Sequence, residues 1–349
     1  MINYKITLTP LDWFFFGGET TYEGGTEANY YAESRLFPQQ TAIIGMLRYE
    51  ILKKNGLLNA DSSHQQRVKD LIGAKGFDMI DHLSPVGQIL NISPILLQRE
   101  NYLYYKAPLC TDNITFIKNE NVYLNGRKNQ LPIYVDNKKS CYNNPNEWLS
   151  LNPESPVKSI DVEKDVFSFK TKIGITKSRN GNEKNDKDGY YKGKYCMLKS
   201  GYSFVFFAQL GTELDSVSLV YLGAERSLFR MEVEKVGSSE SATRFWEQIF
   251  NSIPSKQGQF LFISDAFVPN KVLELCKFMY SDTIPFRYIS RVWQPKRNYA
   301  SLNKEKEKSG KFNLIRRGSV FFYENEQQTD ITTILNNDYL QNFGYNIFK

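Results

Sequence analysis

The amino-acid sequence predicts an α+β fold built on antiparallel sheets. Short apolar runs of strand length are separated by turn residues, and strand and helix patterns alternate without regular βαβ repeats. The chain of 349 residues, 41% of them hydrophobic, exceeds the size at which one hydrophobic core usually keeps growing. Two ferredoxin-like (RRM-like) domains with long inserted loops are the simplest arrangement that fits these observations.

The first half of the chain begins with a strand pattern. Residues 5–10 alternate apolar residues with threonines and end at a proline. After a glycine-rich turn, Pro38 opens a helix in which Ile44, Leu47 and Ile51 recur on one face. Further strands are predicted over residues 94–105 and 121–124.

The second half repeats this alternation. Residues 202–210 are a continuous apolar run, typical of a central strand. Residues 229–236 alternate apolar with charged side chains, so that strand should have one solvent-facing side. A helix is predicted over residues 241–253, with Phe245, Ile249 and Ile253 on its buried side. A strand, a helix and two more strands are predicted over residues 260–264, 271–280, 284–292 and 320–324.

The segment of residues 143–156 interrupts all periodicity with Asn and Pro, and it predicts a domain boundary between residues 1–155 and 156–349. The N-terminus has no apolar core followed by a small-residue cleavage site, and no apolar stretch approaches the ~20 residues that a bilayer requires. We therefore expect a soluble, cytoplasmic protein with no membrane partner.

Cysteine and histidine usage argues against a metal centre. Cys110, Cys141, Cys196 and Cys276 are widely spaced and form no C-x-x-C pair, so we expect reduced thiols. The two histidines, His64 and His82, belong to no ligand motif and are interpreted as surface or capping residues. Neither a metal nor another cofactor is expected.

The positive charge is concentrated in two segments. Residues 291–317 carry a net charge of +7 and residues 170–194 one of +5, whereas the whole chain has only +6. Aromatic residues lie in and beside both segments, and they offer faces on which unpaired bases could stack. This pattern favours RNA as a ligand. The alternative for the run of residues 304–308 is a solvated loop.

Motifs of common catalytic sites are missing. The sequence contains no G-x-x-x-x-G-K-[ST], G-x-G-x-x-G or G-x-S-x-G pattern. Acidic pairs such as Glu232 with Glu234 are interpreted as solvated surface charges. The residues therefore favour a binding protein over an enzyme.

Six ordered segments of the sequence resemble the RAMP superfamily of CRISPR proteins and, within it, the handle-binding subunit of type III-B (Cmr) effector complexes. They are ITLTPLDWFFFGG (6–18), LFPQQTAIIGMLRYEIL (36–52), SPILLQRENYLYYKAP (93–108), FSFKTKIGITKSRNG (167–181), YLGAERSLFRMEV (221–233) and RRGSVFFYE (316–324). Two departures stand out. The closing glycine-rich loop of the superfamily is reduced to Phe343, Gly344 and Tyr345, and Lys170 or Lys172 stands where the family commonly has arginine.

The resemblance implies two ferredoxin-like domains and a role without chemistry. The implied partners are a crRNA held by its 5′ handle, the large polymerase-like Cmr subunit, a backbone Cmr subunit and, indirectly, the target RNA. The residues expected to contact RNA are Gln39, Gln40, Thr41, Arg48, Lys170, Lys172, Lys177, Arg179, Tyr190, Tyr191, Arg226, Arg291, Lys296, Arg297, Arg316 and Arg317.

Several of these roles have alternatives. Gln39, Gln40 and Thr41 could direct donors at a phosphate or merely cap the helix. Glu225 and Arg226 could form an ion pair that fixes a turn, and we favour RNA contact only for Arg226. Gly223 and Gly318 are interpreted as turn or close-approach glycines. Residues 176–194 are predicted to form a protruding hairpin over the RNA, with a disordered insertion as the alternative.

Two other classes of function stay open. One is an endoribonuclease of the same superfamily, either processing repeats or cutting target RNA, which the scarcity of His and the lack of clustered Asp disfavour. The other is an unrelated Tyr/Asn-rich surface or assembly protein, which the missing signal peptide and the two charged segments disfavour.

Overall fold

The computed structural model of the chain describes residues 1–18, 20–22, 30–74, 76–79, 86–110, 114–124, 127–134, 144–176, 189–223, 225–238, 244–288 and 311–349. The strands in these ranges are β1 (Ile2–Pro10), β2 (Thr20–Tyr22), β3 (Tyr30–Glu33), β4 (Ile89–Ile92), β5 (Leu96–Arg99), β6 (Tyr102–Lys106), β7 (Ile114–Leu124), β8 (Arg127–Tyr134), β9 (Glu147–Ser150), β10 (Ser159–Asp161), β11 (Phe167–Thr176), β12 (Gly189–Leu198), β13 (Tyr202–Leu210), β14 (Val217–Leu222), β15 (Ser227–Ser238), β16 (Gln259–Leu261), β17 (Phe278–Tyr280), β18 (Thr283–Phe286), β19 (Phe312–Ile315) and β20 (Val320–Phe322). The α-helices are α1 (Gln40–Lys54), α2 (Gln65–Ile72), α3 (Asn270–Leu275), α4 (Gln328–Leu335) and α5 (Asp338–Asn342). Shorter 3-10 segments cover Ser62–His64, Phe245–Ser252 and Asn325–Gln327, and one π-helical turn covers Val162–Val166.

A large antiparallel sheet organises the molecule. Its strand order is β10-β9-β6-β5-β13-β1-β15-β14, and β4 also pairs with β13. Strand β1 lies between β13 and β15, with Ile6 opposite Phe206 on one side and Val233 on the other. The predicted class, α+β with mostly antiparallel sheets, is confirmed.

Smaller sheets surround this one. The strands β11-β12-β3-β2 form a four-stranded sheet, in which β12 and β3 are parallel. The strands β16-β20-β17 form a three-stranded sheet, and β18–β19 and β7–β8 are two-stranded ribbons.

The hydrophobic core lies on both faces of the large sheet. On one face, Phe204 and Phe206 of β13 pack in the same cluster as Ile44, Leu47 and Ile51 of α1. On the other face, Val205 and Phe207 of β13 share a cluster with Trp246, Phe250 and residues of β16 and β20. Strand β13 is thus buried on both faces, which explains its continuous apolar sequence. A third cluster packs the three-stranded sheet against α3 and α4.

Most predicted elements are confirmed, and four need correction. The strand predicted over residues 284–292 ends at Phe286, and residues 289–292 lie outside the described ranges. Residues 94–105 form the hairpin β5–β6 and not one strand. Residues 245–252 form a 3-10 segment and not an α-helix; Trp246 and Phe250 are its buried residues, and the predicted Phe245 and Ile249 pack partly buried against the same cluster. Residues 271–280 divide into α3 and β17, because the helix ends before Cys276, which adopts an extended backbone.

The predicted boundary at residue 155 does not coincide with a boundary between sheets, because β5 and β6 precede it and pair in one sheet with β13, which follows it. The division into residues 1–155 and 156–349 stays a prediction. The expectation of four reduced cysteines is wrong for Cys110, which is disulfide-bonded, whereas Cys196 and Cys276 are free. Within the described ranges, no helix is long and apolar enough to cross a membrane.

Candidate RNA-binding surface

A groove opens at the N-terminus of α1. It has a volume of about 380 Å³ and is lined by the segment before α1, by residues near β9 and β11, and by the ribbon β18–β19 with the turn that follows it. Two stacked aromatic rings form part of its wall, Phe37 and Trp148, with centroids 4.6 Å apart and planes 5° from parallel. Phe37 is half-buried, so its ring offers some surface to a ligand in the groove.

Two basic side chains beside these rings differ in accessibility. Arg316 is 45% exposed and donates from Nη1 to Asp282 Oδ2 at 2.9 Å. Lys106 is only 5% exposed, and its Nζ donates to the carbonyl oxygens of Ala107 and Glu147 at 3.2 and 3.1 Å. Burial and, as a smaller effect, the nearby charge of Arg316 together lower the pKa of Lys106 to about 8. Lys106 therefore adds positive charge to the groove at neutral pH.

Arg317, next in sequence, has a structural role. Its guanidinium is buried and donates from Nε and Nη2 to the carboxylate of Asp265 at 3.2 and 3.0 Å, and from Nη1 to Ile95 O at 3.0 Å. The guanidinium also lies over the ring of Phe37, 5.6 Å from its centroid. These contacts hold the turn after β19 against β5, and they occupy donors that an RNA phosphate would need.

The predicted residues at the start of α1 differ in burial and in their hydrogen bonds. Gln39 is the N-cap residue by its backbone, but its side chain makes no capping hydrogen bond, so the capping alternative does not describe it. Gln40 is buried, and its Nε2 donates to the carbonyl oxygens of Ser93 and Phe343 at 2.9 and 3.0 Å. Gln39 lines the groove and a second cavity beside α1, which Thr41 and Arg48 also line.

The hairpin β11–β12 carries the other predicted lysines. Its strands are paired continuously from Phe167 opposite Leu198 to Thr176 opposite Gly189. The predicted hairpin is therefore longer at its base than residues 176–194. Lys170 Nζ lies 5.9 Å from the ring centroid of Trp13, and Lys172 Nζ lies 4.0 Å from that of Tyr195. Both lysines are exposed.

The turn containing Arg226 meets this lysine-bearing face. The Tyr195 hydroxyl, below Lys172, donates to Glu225 Oε1 at 2.5 Å. Among the described ion pairs none joins Glu225 to Arg226, so the expected internal pair is replaced by the Tyr195 contact. Arg226 is exposed and has a positive φ of 52°. The turn that carries Arg226 therefore contacts the same side of the hairpin as Lys170 and Lys172.

The opposite face of the hairpin turns toward the groove. Phe169 is 37% exposed, lines the groove and lies 4.4 Å from Lys194 Nζ, which pairs with Glu33. Ile173, four residues farther along the strand, is 65% exposed. The hairpin thus joins an apolar surface beside the groove to a cationic surface on its other side.

Some predicted residues lie outside the described part of the chain. These are Lys177, Arg179, Arg291, Lys296 and Arg297, together with the side chains of Tyr190 and Tyr191. The flanks of both basic segments are described. Thr176 pairs with Gly189 on one side of the hairpin, and Phe286 pairs with Phe312 in the ribbon β18–β19. The described residues that flank the undescribed part of each basic segment are therefore paired strand neighbours.

Two glycines have the roles expected of them. Gly223 has a φ of +88°, and a Cβ there would lie 2.5 Å from Phe15 O. Gly318 has a φ of +87°, and a Cβ there would lie 2.7 Å from Lys106 Cγ. Both positions need glycine for conformation and for close approach.

Sequence reasoning missed Lys106, Phe37, Trp148 and Phe169. Lys106 follows alternating aromatic residues in the segment YLYYK, a signal that pointed only to a strand. The stacked pair of Phe37 and Trp148 joins residues more than a hundred positions apart, so no local pattern reveals it. In the described part of the chain, no group of three or more His, Cys, Asp or Glu residues could hold a metal ion.

A protein-family model described as CRISPR-associated protein (Cas_Cmr3) matches residues 6–346. The groove and hairpin are thus parts of a CRISPR-associated protein. Because the match spans nearly all of the sequence, the chain belongs to the Cmr3 family, and the predicted membership in a CRISPR family is confirmed. No curated protein matches the chain.

Three solved structures are similar to this chain. One chain of the type III-B Cmr-beta complex bound to cognate target RNA has a TM-score of 0.49 and 14% identity, with 99% of this chain and 96% of that chain covered. A chain of the same complex bound to cognate target RNA and AMPPnP, state 1, has a TM-score of 0.47 and 12% identity, with coverage of 98% and 94%. A chain of the Csm3-Csm4 subcomplex of the type III-A CRISPR-Cas interference complex has a TM-score of 0.36 and 8% identity, with coverage of 92% and 93%. The family assignment does not depend on these similarities.

Proposed function

We propose that this chain is a non-catalytic guide-RNA-binding subunit of a type III-B effector complex, and that it grips the 5′ handle of the crRNA. In that role it links the large polymerase-like subunit to a backbone subunit and meets target RNA only indirectly. Membership in the Cmr3 family supports a place in such a complex.

One observation carries the RNA part of the proposal. The hairpin β11–β12 has exposed Lys170 and Lys172 on one face and Phe169 on the other, and Phe169 borders the groove that contains Arg316 and Phe37. Lysine and arginine contact phosphates, whereas aromatic rings stack on unpaired bases. A single strand crossing the hairpin would meet both kinds of surface.

The proposed contact set is narrower than the sequence alone indicated. Gln40 and Arg317 are buried and bound to protein atoms, so we omit them. The described residues that we retain are Gln39, Thr41, Arg48, Lys170, Lys172, Arg226 and Arg316, and Lys106 is added as a buried charge beside the groove.

Purification from the host tests the ligand. The tagged chain should bring down small RNAs that share one repeat-derived sequence at their 5′ ends, as sequencing would show. RNAs without a common 5′ sequence would refute handle recognition. Absence of RNA from a complex that still contains its protein partners would refute RNA binding altogether.

A charge substitution tests the surface. The double variant Lys170→Ala and Lys172→Ala should weaken guide binding, and each lost phosphate contact should reduce the slope of log K against log salt by about 0.7. The matched control is Lys158→Ala with Lys271→Ala, which removes the same charge from exposed positions outside the hairpin and the groove. Equal effects of the two double variants would mean that net charge, and not this face, governs binding.

A further inference from the structure

A second cavity runs along the solvent-facing side of α1. Its volume is about 780 Å³, within the range that small-molecule sites occupy. The helix contributes one stripe of residues at helical spacing, Thr41, Gly45, Arg48, Tyr49 and Leu52. The facing wall comes from residues after α1, from α2 and from the end of β18, and it includes Leu58, Ile72, Phe77, Arg287 and Tyr288.

Gly45, in the middle of the stripe, leaves the helix backbone open to the cavity. A Cβ at this position would have no heavy atom within 4 Å, so the fold does not require glycine there. Glycine inside a helix costs about 0.5–1 kcal/mol relative to alanine. Gly45 therefore lowers the stability of the helix, and the missing side chain makes the cavity deeper at this position.

The charges at the cavity have one sign. Arg48 lies on α1 and the exposed Arg287 on the facing wall, and no Asp or Glu occurs among the described residues that line the cavity. Burial lowers the pKa of Arg48 to about 10, so its guanidinium stays charged at neutral pH in a poorly solvated place. A cation in such a place attracts an anionic ligand group more strongly than one in bulk water does.

The remaining lining is apolar and aromatic. Leu52, Leu58, Ile72 and Phe77 supply the apolar part, and Tyr49, 48% exposed, lies at the rim. A ligand with a flat, weakly polar body and a negative group fits these surfaces better than an acidic peptide, whose backbone would need hydrogen-bonding partners along its length.

We propose that this cavity binds one nucleotide, with the base against the apolar lining next to Gly45 and the phosphate at Arg48 and Arg287. Two sources share that chemistry, a free mononucleotide and an unstacked nucleotide within an RNA strand. In the second case the inference rests on the proposed function, because the strand would be the guide.

Two variants of the full chain test the site. Gly45→Leu fills the cavity with a good helix former, and Arg287→Gln removes an exposed cation. The controls are Thr329→Leu on the exposed side of α4 and Arg230→Gln on β15, neither of which lines the cavity. Binding of GMP is measured by saturation-transfer NMR, and binding of a fluorescently labelled eight-nucleotide RNA is measured by fluorescence anisotropy.

We expect both cavity variants to weaken nucleotide binding at least tenfold, and both controls to bind like the wild type. Gly45→Leu should unfold at the same or a higher temperature, which separates lost binding from lost structure. Binding of GMP alone would identify a free ligand, and binding of the RNA alone would identify a strand, and either result supports the site.

Three results would overturn the inference. They are binding of neither probe by the wild type, unchanged binding by both cavity variants, and a Gly45→Leu variant that binds nucleotides but fails to join its protein partner. The last result would make the cavity a protein-docking site. If one of these results is obtained, guide RNA that still co-purifies with Gly45→Leu would show that the proposed function holds although the cavity proposal fails.

Discussion

At the scale of single residues, the neighbours Arg316 and Arg317 should have opposite effects when replaced. The side chain of Arg317 is 9% exposed and forms an ion pair with the carboxylate of Asp265. Arg317→Ala would leave this carboxylate without its cation, and it should destabilise the fold by about 3–5 kcal/mol. Arg316 is 45% exposed in a surface pair with Asp282, so Arg316→Ala should cost less than about 1 kcal/mol. Urea denaturation measures both.

The same two variants separate stability from RNA binding. Guide affinity of folded protein should fall for Arg316→Ala and stay nearly unchanged for Arg317→Ala at a temperature where that variant remains folded. The reverse order of affinities would show that the buried arginine reaches the ligand. The sequence RRG cannot distinguish the two roles, because Asp265, the residue that makes them different, lies 52 positions from Arg317.

The carboxyl of Asp265 gives this pair a pH dependence. Burial raises its pKa, but the charge and hydrogen bonds of Arg317 more than offset that effect, and the pKa lies below its usual value. The contribution of the pair is therefore complete above the unfolded pKa of about 4 and is lost as the pH falls through the folded pKa.

Lys106 should make stability rise at alkaline pH. Burial, followed by the charge of Arg316, lowers its pKa to about 8 in the folded state, below the unfolded value of about 10.4. Between these two values the unfolded chain binds more protons, so the free energy of unfolding increases with pH, by on the order of 1–3 kcal/mol.

Comparison with Lys106→Met isolates this effect, because methionine keeps the length of the side chain without the charge. Between pH 8 and pH 10 the unfolding free energy of the wild type should increase relative to that of Lys106→Met, as measured by urea titrations. A difference that is constant over this range would place the folded pKa of Lys106 near its ordinary value.

At the scale of elements, the hairpin β11–β12 should tolerate loss of its far end. Ten residue pairs from Phe167 with Leu198 to Thr176 with Gly189 hold the strands together, so replacing residues 178–188 by a Gly-Ser linker leaves the ladder in place. We expect an unchanged unfolding temperature. Chemical probing of the assembled complex should nevertheless show lost protection of nucleotides at the boundary between handle and guide. A footprint identical to that of the wild type would show that the replaced segment does not contact the RNA.

Strands were easier to predict than helices in this chain. The alternation in β15 and the apolar run of β13 follow from burial on one face and on two faces of the large sheet. The 3-10 segment Phe245–Ser252 was mistaken for an α-helix because Phe245 and Ile249 fit helical spacing. Tertiary contacts determine which of its residues are buried most. One of these contacts is the hydrogen bond from Trp246 Nε1 to Asn91 Oδ1 at 3.0 Å. The sequence predicts those parts of the candidate surface where basic residues are close in sequence, as Lys170 and Lys172 are. It does not predict parts formed by residues far apart in sequence, such as Phe37 and Trp148.

At the scale of the whole molecule, we expect no RNA cleavage by the isolated protein, with or without divalent metal ions. In the described part of the chain the groove brings together lysine, arginine and amide groups with carboxylates that are largely paired, such as Asp265 and Asp282. General acid–base catalysis needs a group that titrates near neutral pH within reach of the ribose. Lys106, whose pKa is about 8, does not meet this need, because it is buried and its Nζ donates to two backbone carbonyl oxygens. Metal-dependent cleavage that survives repurification and disappears with one point substitution would contradict this expectation.

The last prediction concerns the predicted boundary at residue 155. Strand β13 lies between β5 and β1 in the large sheet, so a fragment of residues 1–155 lacks the strand that joins its own strands. It also exposes Leu97 and Ile6, which pack in one cluster with Phe204 and Phe206. A sheet edge of this length is a site of aggregation. We therefore expect neither residues 1–155 nor residues 156–349 to fold alone.

Co-expression of the two fragments as separate chains should restore a folded, co-purifying complex, because strand pairing is non-covalent and residues 152–154 and 156, on either side of the buried Ser155, are exposed. Amide NMR spectra of each fragment and of the pair provide the measurement, with the intact chain as the reference. A well-dispersed spectrum from residues 1–155 alone would show that this part is an independent domain, and it would require that β1 and β5 find other partners than β13.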